Sequence, residues 1–425
     1  MQKNSVTIND PLKLGNLVIK NRLYRAPVLE GAAAKDDVAD VYIKAFEPNA
    51  KAGIGLIIQG TCVIYQGGQV APGMLCVEDP EVIKQLGKLT DVIHRYDTKI
   101  ICQLGHSGIF TLASWSKKAR QEWAGQPLAP SPLPRLVRLM GHPGAHVLTT
   151  EDVYDIAEQM GKIAGRMRDA GYDGIQLPCS NAKLLQAFLM PYYNRREDEF
   201  GGSLEKRFYL IKLIKQKIQH YAGKDFPVLI KIPFVEARGG INMNDGLAFC
   251  KLAEQAGFVA ITPVYASKTV TTCVSRGDFP SFAFQSKQFM NKLAEYSGSQ
   301  LRNKFFKLYF YWMSKQYPFS SAWNRALFNL VKPQVNVPVF AVGGIRHYHE
   351  IEQILAEQQA DMCGIGRPLY AEPELPKALL QRGPISALCE NSNNCIIAQT
   401  LGYPGVCYNP DVKKKLLTNK NSKQV

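Results

Sequence analysis

The first residues, MQKNSVTINDPLKL, lack the apolar core of a secretion signal. No uninterrupted apolar run anywhere is long enough to cross a bilayer. The ten cysteines are scattered from Cys62 to Cys407, so reduced thiols or ligands are expected instead of a disulfide framework. Together these absences imply an intracellular, cytoplasmic protein. Acidic residues are missing from one long stretch: between Ser297 and His349 there is no Asp or Glu, while Arg302, Lys304, Lys307, Lys315, Arg325 and Lys332 all fall inside it. The whole chain carries a formal net charge of +15, a balance that suits nucleic acid, an anionic membrane surface or an acidic ligand. No nucleic-acid-binding signature accompanies it, so nucleic acid is not expected as a partner.

What is present is a regular alternation. At 425 residues the chain exceeds the usual single core, which allows one large barrel with insertions or two domains. Short β-branched apolar runs lie near residues 23–29, 55–63, 99–104, 174–177, 228–232, 258–264, 338–344 and 360–366. Most are continuously apolar, as expected for parallel strands buried on both faces. Between them lie helical patterns such as Val153, Ile156, Met160, Ile163, Ala164 and Met167, with Gly171 as a terminator. Eight strands alternating with helices predict an α/β fold, a (β/α)8 TIM barrel. A doubly wound open sheet would want a glycine-rich turn after its first strand, and RAPVLEGAAAK offers none.

The barrel is expected over 1–380, with long insertions after strands three and six, at about 107–149 and 268–336. A Cys-containing extension and basic tail follow at 381–425. The first insertion is proline-rich and suits a loop over the barrel mouth. The second packs ten aromatic residues into 301–330, from Phe305 to Phe328. Such a cationic, aromatic segment can lie against an anionic membrane, cap a greasy pocket, or simply form a helical hairpin with a solvated basic face. Membrane association of an otherwise cytoplasmic protein is therefore one expectation.

Barrel enzymes place their sites at the C-terminal ends of the strands, often with phosphate held after strands seven and eight. Those positions read VGGI (Val342 to Ile345) and GIGRPL (Gly364 to Leu369). Glycines let backbone N–H groups close on phosphate oxygens, and Arg367 adds a bidentate cation. With DPLKLGNLVIKNR, QLGHSG at Gln103–Gly108, NRREDEFGGSLEKR at Asn194–Arg207 and PVFAVGGIR, the chain resembles the old yellow enzyme / NADH:flavin oxidoreductase superfamily. The likeness runs from about Asp10 to Pro376 and is nearest the barrel of the 2,4-dienoyl-CoA reductase-like branch.

The resemblance implies a non-covalent FMN at the barrel mouth, with NADPH or NADH as electron donor. It implies that Pro27 and Gly60 contact the flavin ring through backbone groups and that Gln103 bonds its pyrimidine edge. Lys231 would stand near N1, and Gly343, Gly344, Gly366 and Arg367 would hold the phosphate. His106 reads as structural. The expected acceptor is a small apolar, unsaturated molecule.

Two departures from the family pattern stand out. Where members carry His-x-x-His or His-x-x-Asn after strand four, this chain has Pro178 and Asn181, and Lys183 takes the place of a proton-donating tyrosine. Leu29 stands where many members have Thr or Cys. On one reading, Asn181 with Lys183, or a tyrosine such as Tyr65, serves a different substrate. Alternatively, electrons pass to an acceptor needing no carbonyl clamp, or the barrel only binds FMN as an interaction module. The cysteine Cys179 reads as packing. At the end of the chain, Cys389, Cys395 and Cys407 resemble a four-cysteine cluster site whose second position is Ser392. A degenerate iron–sulfur remnant is expected there, with no metal bound.

Overall fold

All eight expected strands are present in a computed structural model that describes residues 5–31, 37–122, 125–139, 142, 144–181, 183–268, 273–381, 383 and 385–421. They are β1 (Leu23–Arg25), β2 (Leu56–Val63), β3 (Lys99–Gly105), β4 (Gly174–Pro178), β5 (Val228–Phe234), β6 (Ala260–Tyr265), β7 (Phe340–Val342) and β8 (Met362–Ile365). Each is parallel to its neighbours in chain order, and β8 pairs with β1. A parallel bridge between Ile261 and Val339 joins β6 to β7 and closes the ring. Closure excludes the open-sheet alternative.

Continuous burial explains the continuous hydrophobicity of the runs: all eight residues of β2 and all five of β4 are buried. Barrel helices follow the strands: α1 (Val38–Lys51), α2 (Gly87–His94), α3 (Thr150–Asp169), α4 (Leu204–Ala222), α5 (Met243–Gln255), α6 (Arg325–Val331), α7 (Tyr348–Ala356) and α8 (Leu375–Leu380). Helix α3 opens with a capping box between Thr149 and Asp152, and its buried stripe includes the six residues that gave the helical period. Inside the ring, side chains such as Tyr24, Ile58, Leu229, Phe340 and Met362 form a core closed at the N-terminal end by the hairpin Leu12–Leu14/Leu17–Ile19. Only the opposite end of the barrel is left to open into a site. No helix among the described residues is long and apolar enough to cross a membrane.

The run Asn194–Arg207, which is the most distinctive stretch of sequence, proves to be a clamp between loops. Asn194 Nδ2 donates to the carbonyls of Phe188 and Phe200, each at 2.7 Å. Arg196 pairs with Asp198 at 2.5 Å and also donates to the carbonyls of Pro130 and Leu148 in the β3–α3 loop. Thr150 donates to the same Asp198 at 2.8 Å, and Arg207 bonds the carbonyl of Leu189. The motif thus fixes the 107–149 loop against α4, and its charges serve structure.

Replacing Asp198 should therefore act on stability. Asp198→Ala leaves the Arg196 guanidinium, 9% exposed, without its carboxylate. A loss of about 3 kcal/mol is expected in urea denaturation.

Candidate active site

Because all eight strands point the same way, their C-terminal ends meet at one mouth. A cavity of about 600 Å³ opens there. It is lined by Pro27, Gly60, Gln103, Asn181, Lys183, Lys231, Gly343, Gly344, Gly366 and Arg367, the ten residues singled out from the sequence. Chain segments hundreds of residues apart are brought together by the ring alone. Among the described residues no Asp or Glu lines this cavity, whereas Lys183, Lys231, Arg346 and Arg367 do, and none of the four forms an ion pair with a described residue.

The phosphate-like end lies after β7 and β8. Gly343 and Gly344 have φ of 121° and 81°, and a Cβ on Gly343 would come within 2.9 Å of the Trp323 ring. Glycine is required on both counts. The backbone N–H groups of Gly343, Gly344, Gly366 and Arg367 donate to no described residue. Four unmade donors beside a guanidinium form a ready anion cradle. Arg367 is steadied by Asn393 and by the carbonyl of Arg276 at 2.6 Å.

At the other end stand the lysines. Burial pulls Lys231 and Lys183 down to about 8. Lys183 Nζ donates to Ser107 Oγ at 3.3 Å. Asn181 holds a left-handed backbone with φ of 62°, and its buried Oδ1 has no partner. Between the two ends, Gln103 donates to Gln176 Oε1 at 2.8 Å and accepts from Thr61. One N–H and one lone pair of that amide stay free for a ligand edge.

Other expectations find a place nearby. Burial first, and the Lys183 charge second, hold His106 down to about 3, and its Nδ1 accepts from Gly108 N at 2.9 Å, so the imidazole is neutral and structural. Tyr65 does not line the cavity, while Leu29 and Pro178 do. The Cys179 thiol is fully buried and pushed well up, as suits packing. Cys389, Cys395 and Cys407 surround a separate space of about 20 Å³ together with Ser392, and burial raises Cys395 to about 12. No three His, Cys, Asp or Glu side chains among the described residues are arranged to hold a metal ion.

Sequence reasoning missed several lining residues. Arg346 follows the glycine pair, stacks at 4.1 Å on Phe319 and leaves a buried Nε unpartnered. Trp323 lines the cavity beside the glycines, and Arg276, outside the lining, stacks on it at 4.1 Å. The roof comes from the insertions: Phe306 and Phe310 of the helix Gln300–Gln316, with Trp115 packed 5.3 Å from Phe306. The aromatic richness of 301–330 was the signal for a roof; the membrane and hairpin readings competed with it.

The family model described as NADH:flavin oxidoreductase / NADH oxidase matches residues 7–302. The chain belongs to that family. An "NADH oxidase" of Thermoanaerobacter brockii is 30% identical over 370 residues, covering 86% of this chain and 49% of that protein. The chain thus spans about half the length of that relative. Among solved structures, 2-naphthoyl-CoA reductase in complex with 2-naphthoyl-CoA aligns with a TM-score of 0.76 at 18% identity, over 96% of this chain and 58% of its own. The old yellow enzyme homologue from Zymomonas mobilis aligns with a TM-score of 0.66 at 18% identity, over 96% and 98%. Both likenesses concern the fold, and the barrel is the fold of this family.

The two lysines give a pH signature. Their folded pKa lies near 8, below the ordinary lysine value of 10.5, so the unfolded chain binds more protons between those limits. The destabilising burial of charge is complete below pH 8 and is relieved as pH rises toward 10.5. Ligand-free protein should gain stability across that window, and Lys183→Met or Lys231→Met should flatten the gain in parallel thermal melts.

Proposed function

We propose that the protein is an FMN-dependent oxidoreductase that oxidises NADPH or NADH and reduces a small, electrophilic, apolar acceptor. The observation that carries this reading is the acid-free cavity, where four unmade backbone N–H groups and Arg367 face one end and an uncompensated Lys231 the other. A phosphate monoester with a flat heterocycle bearing an electron-rich edge fits both ends. When bound, FMN supplies a centre that accepts hydride from the nicotinamide and hands it on.

The chain's own residues then bind and orient. Gly343, Gly344, Gly366 and Arg367 hold the phosphate, and Gln103 fixes the ring edge. Lys231 places a positive charge where a reduced ring gathers negative charge. Pro27 and Gly60 shape the floor with backbone groups. Pro178 offers no hydrogen-bond donor to an acceptor, so polarising an acceptor oxygen falls to the Asn181 amide and to Lys183. With its pKa near 8, Lys183 can also give up the proton that must accompany the hydride. The phenyl rings of the roof keep water away from that transfer.

The test is an anaerobic visible spectrum of purified protein before and after adding NADPH or NADH. A yellow protein that bleaches is expected. A yellow protein that stays oxidised would leave a non-catalytic FMN barrel, and no flavin after adding FMN would sink the cofactor assignment. Lys231→Met should lower the flavin midpoint potential by roughly 30–60 mV, the equivalent of one charge-assisted hydrogen bond of about 1.5–3 kcal/mol. Lys183→Met should leave bleaching by nicotinamide intact and slow reoxidation by an enone by about 10²-fold or more in stopped-flow traces.

A further inference from the structure

The helix Gln300–Gln316 has two opposed faces. Asn303, Phe310 and Met313 are buried against the body of the protein. On the other side Leu301, Phe305, Leu308 and Trp312 follow one another at spacings of four, three and four residues, which on an α-helix make a single stripe. They are 63%, 62%, 62% and 46% exposed. A solvated face would carry polar residues at those positions. Here four large apolar side chains meet water together, and such a patch marks a contact surface.

The charges beside the stripe choose its occupant. Arg302, Lys304, Lys307 and Lys315 are exposed, and none forms an ion pair with a described residue. The helix contains no Asp or Glu. A second copy of the chain docked here about a two-fold axis would set these lysines against each other with no acid to offset them. An anionic lipid surface instead meets the cations with phosphates and the stripe with acyl chains, while the Trp312 ring sits at the headgroup level. Phe305 joins this surface to the site, because it belongs both to the exposed stripe and to the lining of the cavity.

We propose that Gln300–Gln316 is an interfacial helix that docks the protein on an anionic bilayer, and that the cavity takes its apolar acceptor from the leaflet. The second half rests on the reductase reading above; the docking does not.

Flotation of the full chain with vesicles tests the docking. About tenfold more protein should float with phosphatidylcholine vesicles containing phosphatidylglycerol than with phosphatidylcholine alone, and added salt should reverse it. The triple variant Leu301→Ser, Leu308→Ser, Trp312→Ser and the charge variant Lys304→Glu, Lys307→Glu should each lose flotation while keeping the wild-type circular dichroism and melting temperature. Wild type that stays with the dense fraction overturns the proposal. So does equal flotation of the variants, or a dimer in analytical ultracentrifugation that the triple variant dissociates without any vesicle binding. For delivery, the probes are a dodecyl-substituted enone carried in the vesicles and cyclohexenone in solution. The variants should lose reduction of the first and retain that of the second; equal rates on both overturn leaflet delivery. If wild type reduces neither, the reductase reading fails, while flotation still decides the docking by itself.

Discussion

Positive charge held at a barrel mouth without a carboxylate is the constraint around which this structure is organised. A parallel ring sends every strand's C-terminal end to the same place, so Lys231 from β5 and the segments after β7 and β8 meet whether or not their charges suit one another. Burial costs show in both lysines, which are pulled to about 8. The fold could have set an acid beside them, and Glu30 lies close under Gly60, yet it is taken by the buried Arg25 at 3.4 Å. Burial raises Glu30 to about 7 even so, and Arg25 is further held by Asn49 and stacks on Phe46. Charge is thus neutralised beneath the mouth and left open within it. Binding an anion there removes a cost already present in the folded chain, so ligand binding and stability are coupled.

The same geometry shows why Pro178 is tolerated. It is the last residue of β4, in register with Lys231 of β5, and the chain turns immediately after it. A strand end loses little by lacking an N–H, but the site loses a side-chain donor. Lys183 enters from the residue that caps the following helix, Leu184–Leu189, and its ammonium group meets Ser107 beyond β3. A flexible, strongly hydrated point charge replaces a flat ring with fixed donors. In the role proposed for Lys183, such a group suits acceptors whose oxygen is not held at one angle, and the proposed acceptor, recognised chiefly by its apolar body, meets that condition.

Much of the architecture was legible because buried parallel strands leave continuous apolar runs, and helices such as α3 carry both period and cap in local sequence. The ten residues that line the cavity together were legible through their motifs, since each lies within a strand or shortly after one. Trp323 and Asn391 of the lining, and Arg276 stacked on Trp323, were not, because they sit in long connections whose path is decided by packing far along the chain; Arg346, just past β7, carries no local pattern that turns it toward the cavity. The run Asn194–Arg207 shows the opposite hazard. Its density of charged residues invites a catalytic role, yet Arg196, Asp198 and Arg207 make structural bonds. Charge in sequence does not reveal whether its partner is substrate or backbone.

On the proposed function, what decides the acceptor lies in the roof. Leu112 from the first insertion, Phe284 and Phe310 from the second, and Ile397 and Leu401 near the end of the chain form one apolar cluster distinct from the barrel core. Asn391, Ile396, Gln399 and Thr400 of the last segment reach the cavity beside Phe306 and Phe310. Three segments remote in sequence therefore build one lid-like wall, fixed by tilted and stacked rings such as Phe284–Phe310 and Phe279–Phe284. The residues proposed to hold the cofactor lie in or just after the strands, whereas the roof is built from the long connections between them, where change need not disturb the ring. A wall of phenyl and indole groups discriminates weakly between apolar molecules that differ by a methylene, and strongly against charged ones. On the proposed reading, selection by this site depends less on the shape of the acceptor than on where it is dissolved, and the proposed docking through the exposed face of the roof helix bears directly on that.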